Sequence, residues 1–238
     1  MEKVRTHQEG LDELLGGGIP RGSIVLLVGA PGTMKSSLSY AILHENAQRD
    51  APGVYVSLEQ GRASLLYQME GLGYRHEAVK GKLSILDLSA IRAGMDEPGT
   101  PWIDYFKMYT SGLKRTLGFR LLVLDSLDAL EILARFRNYR KEVFELFKWV
   151  RDLECTAMVI GELPSDGPSG LESMEHPGFS RHREDYLADG IVYLRTEKQG
   201  EFGVQRRLRV AKMRGTKHST SYHAFVFEKG FKVTRVLS

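Results

Sequence analysis

The stretch Ile24-Val-Leu-Leu-Val-Gly-Ala-Pro-Gly-Thr-Met-Lys-Ser-Ser37 decides how the rest of the chain is read. Residues 24–28 form an unbroken aliphatic run between glycines, which suits a strand buried on both faces rather than one with a wet side. Behind it, Gly29-Ala-Pro-Gly-Thr-Met-Lys35-Ser36 follows a known spacing with one departure. That spacing is glycine, four residues, glycine, lysine, then serine or threonine, the pattern of a phosphate-gripping loop. Backbone N–H groups of the tight turn and of the next helix's N-terminus converge there on phosphate oxygens. Lys35 is expected to reach the outer phosphates, and the Ser36 hydroxyl to coordinate a magnesium ion. Met34 stands in place of the second glycine, so its side chain has to point away from the ligand. The expected binding segment is Gly29, Ala30, Pro31, Gly32, Thr33, Met34, Lys35, Ser36 and Ser37, with ATP and Mg2+ as ligands. A glycine-rich turn that merely joins two elements is the duller reading, and it leaves Lys35-Ser36 without a purpose.

Outward from this loop, apolar spacing predicts a helix over 36–48, a strand over 54–58 and a helix over 63–70. Further on it predicts a strand over 83–88, a helix over 102–117 and a buried strand over 119–124. Residues 141–153 repeat Val143, Phe144, Leu146, Phe147 and Val150 at three and four residues, an amphipathic helix with Phe144, Phe147 and Trp149 as packing groups. A strand over 156–160 follows. Strands alternating with helices predict an α/β fold, a mainly parallel sheet with helices on both faces. Residues 162–185 carry Pro164, Gly167, Pro168 and Pro177 without a period and are expected to form a long surface loop. Strands over 191–195, 204–213, 223–228 and 231–236, the last two joined by a turn at Lys229-Gly230, predict a C-terminal antiparallel extension.

The chain has 238 residues, 42% hydrophobic and 26% charged, with a formal charge of +3. One domain spanning 1–238 is the expectation. A single cysteine, Cys155, excludes an internal disulfide and a thiol zinc motif, and is read as a small core residue. No signal peptide and no apolar run long enough to span a bilayer stand out, so a soluble cytoplasmic protein with no membrane partner is expected.

Asp125 follows the apolar residues 121–124, at the C-terminal edge of a parallel sheet where ligands bind. Its predicted role is the Walker B one, holding a water on magnesium. A helix cap is the alternative at Asp125-Ser126, and the two are compatible. Glu59 follows the strand over 54–58 and reaches the same edge. It either polarises the water that attacks the γ-phosphate or is a first-turn glutamate favoured by the helix dipole.

With these residues in view, the chain resembles the RecA-superfamily ATPase domains, especially the KaiC-like group. Thr6, Gly10-Leu-Asp-Glu-Leu-Leu-Gly-Gly-Gly-Ile-Pro20 and Gly22 resemble that group's entry to the loop. Ser57-Leu-Glu-Gln60, Leu124-Asp-Ser-Leu127, Leu187-Ala-Asp-Gly-Ile-Val-Tyr-Leu194 and Lys212-Met-Arg-Gly-Thr-Lys-His218 match in order over nearly the whole chain. The resemblance implies a RecA-like core in a homohexameric ring that binds ATP between subunits and hydrolyses it slowly. It also implies Glu59 as general base, and Lys212 and Arg214 as a finger into the neighbour's site with His218 nearby. Two residues apart on one strand, Lys212 and Arg214 would share a face. The group has two consecutive glutamates where this chain has Glu59 and Gln60, which leaves one candidate base.

Arg206, Arg207, Arg209, Lys212, Arg214 and Lys217 are weighed as a nucleic-acid stripe against a strand whose Leu208 and Val210 face the core, and the latter is preferred. His176, His182, Glu184 and Asp185 lack regular metal spacing. The leading function is therefore an ATPase, regulatory or signalling, whose further protein partner is left open. The alternatives are an ATP-gated scaffold with little turnover and a DNA-binding recombination-related ATPase.

Overall fold

The computed structural model describes residues 1–88, 102–163, 184–201 and 203–235. The chain enters through a short strand β1 (Lys3–Val4), a helical turn α1 (Leu11–Leu14) and β2 (Ile19–Pro20), which pairs with β1. It then alternates: β3 (Ile24–Gly29), α2 (Lys35–Gln48), β4 (Gly53–Ser57), α3 (Arg62–Gly71), β5 (Leu83–Asp87), α4 (Trp102–Leu117) and β6 (Leu121–Asp125). Next come α5 (Leu127–Ala134), α6 (Tyr139–Asp152), β7 (Thr156–Glu162), β8 (Gly190–Gln199), β9 (Gly203–Met213), β10 (His223–Phe227) and β11 (Phe231–Arg235).

These strands make one 9-stranded sheet in the order β11-β10-β9-β8-β3-β7-β6-β4-β5. From β8 to β5 every pairing is parallel, and from β8 to β11 every pairing is antiparallel. The expected α/β sheet with an antiparallel extension is what the chain forms. β3 shows why its run is apolar throughout. Val25 and Leu27 enter a core with α2 and α3, while Ile24, Leu26 and Val28 enter one with α4, α5 and α6. Each such side chain gains roughly 1.5–3 kcal/mol on burial.

Helix ends follow local chemistry. Ser126 caps α5, its hydroxyl accepting from Ala129 N–H at 3.2 Å, and Asn138 caps α6 through Lys141 N–H at 3.2 Å. The cap at 125–126 is thus the serine, which leaves Asp125 for other work. Val143, Leu146, Phe147 and Val150 bury the inner face of α6, but Phe144 is 50% exposed. The helix turns 100° per residue, so Phe144 falls beside the buried stripe rather than within it. The strand expected over 119–124 runs over Leu121–Asp125, its first residue paired with Gly53 of β4. The histidines at 176 and 182 and most of the loop expected over 162–185 lie outside the described residues. Among the described residues, no helix is long and apolar enough to cross a membrane.

Candidate functional site

β3 delivers the chain to the loop, and β8 dictates its first residue. A Cβ on Gly29 would sit 2.2 Å from the Leu194 carbonyl oxygen, so only glycine lets the two backbones approach this closely. Two turns of geometry then open the loop. Gly32 has φ +79° with nothing near its missing Cβ, and Met34 takes the left-handed φ 70°, ψ 30° immediately before α2. The methionine therefore keeps the backbone that a glycine would give, and it packs in part against the α2-side core. Thr33 hydroxyl donates to the Ala30 carbonyl at 2.8 Å and braces the turn from inside. Lys35 Nζ donates to the carbonyls of Gly29 at 2.8 Å and Ala30 at 3.1 Å.

Because β3, β7, β6 and β4 are adjacent and parallel, whatever follows each of them meets at one edge. A cavity of about 320 Å³ opens there, lined by Pro31, Gly32, Met34, Lys35, Ser36, Ser37, Glu59, Asp125, Ser126, Ile160 and Glu162. Asp125 is 6% exposed and accepts from the Tyr55 hydroxyl, with Ser36 nearby. Burial pushes its carboxyl above the ordinary range, and these polar neighbours counter the push only in part. Glu59 accepts from the Ser126 hydroxyl, so the serine that caps α5 also orients the candidate base. Gln60 turns away toward α3, where Gln68 Nε2 donates to its Oε1 at 3.1 Å.

The electrostatics are lopsided. Burial lowers the Lys35 ammonium, while Glu162, Asp125, Glu59 and Asp128 pull it back up. The cavity lining thus sets one cation, Lys35, beside three carboxylates, Glu59, Asp125 and Glu162, a setting hostile to a bare polyphosphate. A hard divalent cation resolves the conflict, and the Ser36 hydroxyl beside the Asp125 carboxylate is the oxygen donor set it prefers. The residues present fit magnesium.

Lys212, Arg214 and His218 are not part of this cavity. β9 runs antiparallel to β8, so Met213 pairs with Gly190 and Gly190 with Val25, whereas Leu208 pairs with Leu194 and Leu194 with Gly29. Val25 and Gly29 are roughly 13 Å apart along the strand, and Lys212 sits toward the far end. Its Nζ donates to the Asp185 and Ala188 carbonyls at 2.9 and 2.8 Å. Arg214 lies just beyond β9, bonded to Asp189 and to the Tyr186 carbonyl. The strand ends at Met213, one residue short of Arg214, and both side chains grip residues 185–189. His218 Nδ1 meets the Thr216 carbonyl at 3.2 Å, in a loop whose Ser219 bonds Leu14 of α1.

The basic run is likewise divided. Leu208 and Val210 are fully buried, as expected. Arg206 Nε reaches over the loop to the Gly32 carbonyl at 3.2 Å, and Arg207 pairs with Glu197. Arg195 lies 3.7 Å over the Tyr222 ring, with Arg209 on the same ring at 5.5 Å.

Sequence reading did not single out Glu162, Asp128, Tyr55 or Arg206 in this role. Glu162 carried the signal that picked out Glu59 and Asp125, a carboxylate closing an apolar strand. Asp128 joins it by accepting from Glu162 N–H at 2.8 Å. Tyr55 and Arg206 carried none, since a tyrosine inside a buried strand reads as core and an arginine on a hairpin as surface.

The family profile described as "ATPase: KaiC" matches residues 4–236. The chain is 30% identical to a UPF0273 protein of Thermotoga maritima, over 98% of this chain and 96% of that one. It is also 30% identical to a UPF0273 protein of Aeropyrum pernix, over 98% and 94%. The circadian clock oscillator protein KaiC of Picosynechococcus sp. is 28% identical over 94% of this chain, which covers 43% of that longer protein. Among solved structures, a KaiC-like protein from Pyrococcus horikoshii has a TM-score of 0.80 at 26% identity, with 98% of both chains covered. A profile running almost end to end, relatives of matching length and a shared architecture lead to one conclusion: the chain belongs to the KaiC ATPase family.

Proposed function

We propose that the chain binds Mg-ATP in the cavity at the C-terminal edge of its parallel sheet and hydrolyses it slowly in a ring, each site completed by a neighbouring subunit. The observation that carries this reading is the division of labour along the sheet. Lys35, Ser36, Asp125 and Glu59 meet at one edge, while Lys212 and Arg214 are held at the other. A subunit cannot turn that pair on its own nucleotide, but head-to-tail packing brings one subunit's far edge to the next one's cavity.

The proposed roles follow from position. Amides of residues 29–37 and Lys35 grip the triphosphate, and Lys35 exchanges its contacts with the Gly29 and Ala30 carbonyls for phosphate oxygens. Ser36 and Asp125 would hold magnesium, which when bound offsets charge on the outer phosphates. Glu59, steered by Ser126, takes a proton from the attacking water. Lys212 and Arg214 from the neighbour stabilise charge that develops in the transition state. Gln60, bonded toward α3, leaves Glu59 to act alone, which supports slow turnover. The whole of 1–238 acts as one such domain, a second copy of this chain is the first partner, and a regulatory role is the reading most in keeping with slow hydrolysis.

The test is phosphate release from Mg-ATP. We expect Lys35→Ala to abolish release and nucleotide retention together, and Glu59→Gln to abolish release while nucleotide still binds, a loss of at least about 100-fold. Mixing Lys35→Ala with Arg214→Ala subunits should restore part of the activity, because some mixed contacts pair an intact loop with an intact finger. Absence of recovery at every ratio would exclude the shared site. ATP-dependent assembly without phosphate release would favour an ATP-gated scaffold instead.

A further inference from the structure

Tyr55 lies at the middle of β4 with its ring in the α2-side core, 5.8 Å from the Tyr40 ring. Packing alone would be met by phenylalanine. The hydroxyl is therefore the informative atom, since burying a phenol is unfavourable unless it is given a partner. Tyr55 is fully buried, and its hydroxyl donates to Asp125 Oδ2. Ser36 and Ser39 lie near the same phenol oxygen, and Ser36 lines the cavity together with Asp125. The phenol thus holds Asp125, one of the two side chains proposed for the metal, without itself lining the cavity.

We propose that Tyr55 is a positioning residue for the divalent ion, fixing Asp125 through Oδ2 so that the carboxylate presents oxygen to the cavity. The inference rests on the Mg-ATP reading of the site. Its logic is that of outer contacts to metal-ligating carboxylates generally: they set orientation without touching the ion, and their loss typically weakens metal affinity about 10–100-fold. A merely structural pair would make a different prediction, namely lost stability with no change in how nucleotide binding depends on magnesium.

The experiment is a titration of the full chain with a fluorescent ATP analogue, mant-ATP, at a series of Mg2+ concentrations and in EDTA, with melting temperature recorded beside it. Tyr55→Phe keeps the ring and deletes the one oxygen. Tyr40→Phe is the control, for it deletes a neighbouring buried hydroxyl whose contact is His76 Nδ1 at 3.4 Å and which touches neither Asp125 nor Ser36. We expect Tyr55→Phe to raise the Mg2+ concentration for half-maximal binding about tenfold, with affinity in EDTA unchanged, and Tyr40→Phe to leave both unchanged. The proposal is overturned if Tyr55→Phe shows the wild-type magnesium dependence, or if it weakens binding equally in EDTA and in magnesium. Wild-type chain that binds mant-ATP under neither condition would overturn the Mg-ATP reading itself, a result distinct from either of these.

Discussion

At Met34 the backbone occupies left-handed space that L-residues pay roughly 1–2 kcal/mol to enter, and it does so at the head of α2. The loop's shape is thus enforced by its surroundings rather than by a second glycine. Met34→Gly should leave Mg-ATP affinity within about threefold, because the φ that glycine favours is already adopted. Met34→Val, whose branched Cβ tolerates positive φ worst, should reduce affinity at least about tenfold. Equal affinities for the two variants would mean that the loop bends freely. Asp125 supplies a second residue-level expectation. Burial raises its carboxyl above the unfolded value, so its charge costs stability above the unfolded pKa, and that cost is relieved as pH falls through the raised folded pKa. Asp125→Asn should therefore stabilise the ligand-free chain at neutral pH, on the order of 1 kcal/mol or about 2–4 °C in Tm, while removing the magnesium dependence of binding. Wild-type and variant melting temperatures should converge on acidification. Lys35, Ser36 and Asp125 were legible in the sequence because spacing and a strand end identify them. Tyr55 was not, since no linear pattern reveals which buried side chain will lie against a carboxylate seventy positions away in sequence.

Elements explain what single residues cannot. β9 carries Arg206 to the loop edge and Lys212 to the far edge of one sheet, so a run of six basic residues that looks like one stripe serves separate purposes. Sequence showed the strand and its buried Leu208 and Val210, but not which end lies beside Gly29, because that depends on strand order. The far edge is organised by Asp189. Burial pushes its carboxyl up, but hydrogen bonds from Arg151, the Ile24 N–H and Arg214 prevail and hold it below the ordinary carboxylate range. A depressed folded pKa means stability present above the unfolded pKa and lost as pH falls through the folded one. Asp189→Asn should cost about 1–2 kcal/mol at neutral pH, allowing for solvent screening at this rim, and the difference from wild type should vanish in acid-unfolding curves at low pH. The antiparallel extension has its own anchor: Phe231 stacks on Phe225 at 5.2 Å and meets Phe227 edge-on at 4.9 Å. Phe231→Ala should lower unfolding free energy by about 3–5 kcal/mol in urea titrations, and a loss below about 1 kcal/mol would mean that this hairpin is not cooperative with the sheet.

For the whole molecule, the alternation of buried strands and amphipathic helices was enough to give the layered architecture, and the tail's strand periodicity gave the antiparallel extension. The order β8-β3-β7-β6-β4-β5, which seats Glu59, Asp125 and Glu162 around one loop, came from tertiary pairing that no local pattern encodes. That order also has a stoichiometric consequence. Under the proposed assembly the grip and the finger occupy opposite ends of the sheet, so an open row of n copies contains n − 1 finished sites and a closed circle contains n. A lone copy contains none. Turnover per protomer should accordingly climb with protein concentration and level off where sedimentation shows closure, making dilution by itself an off switch.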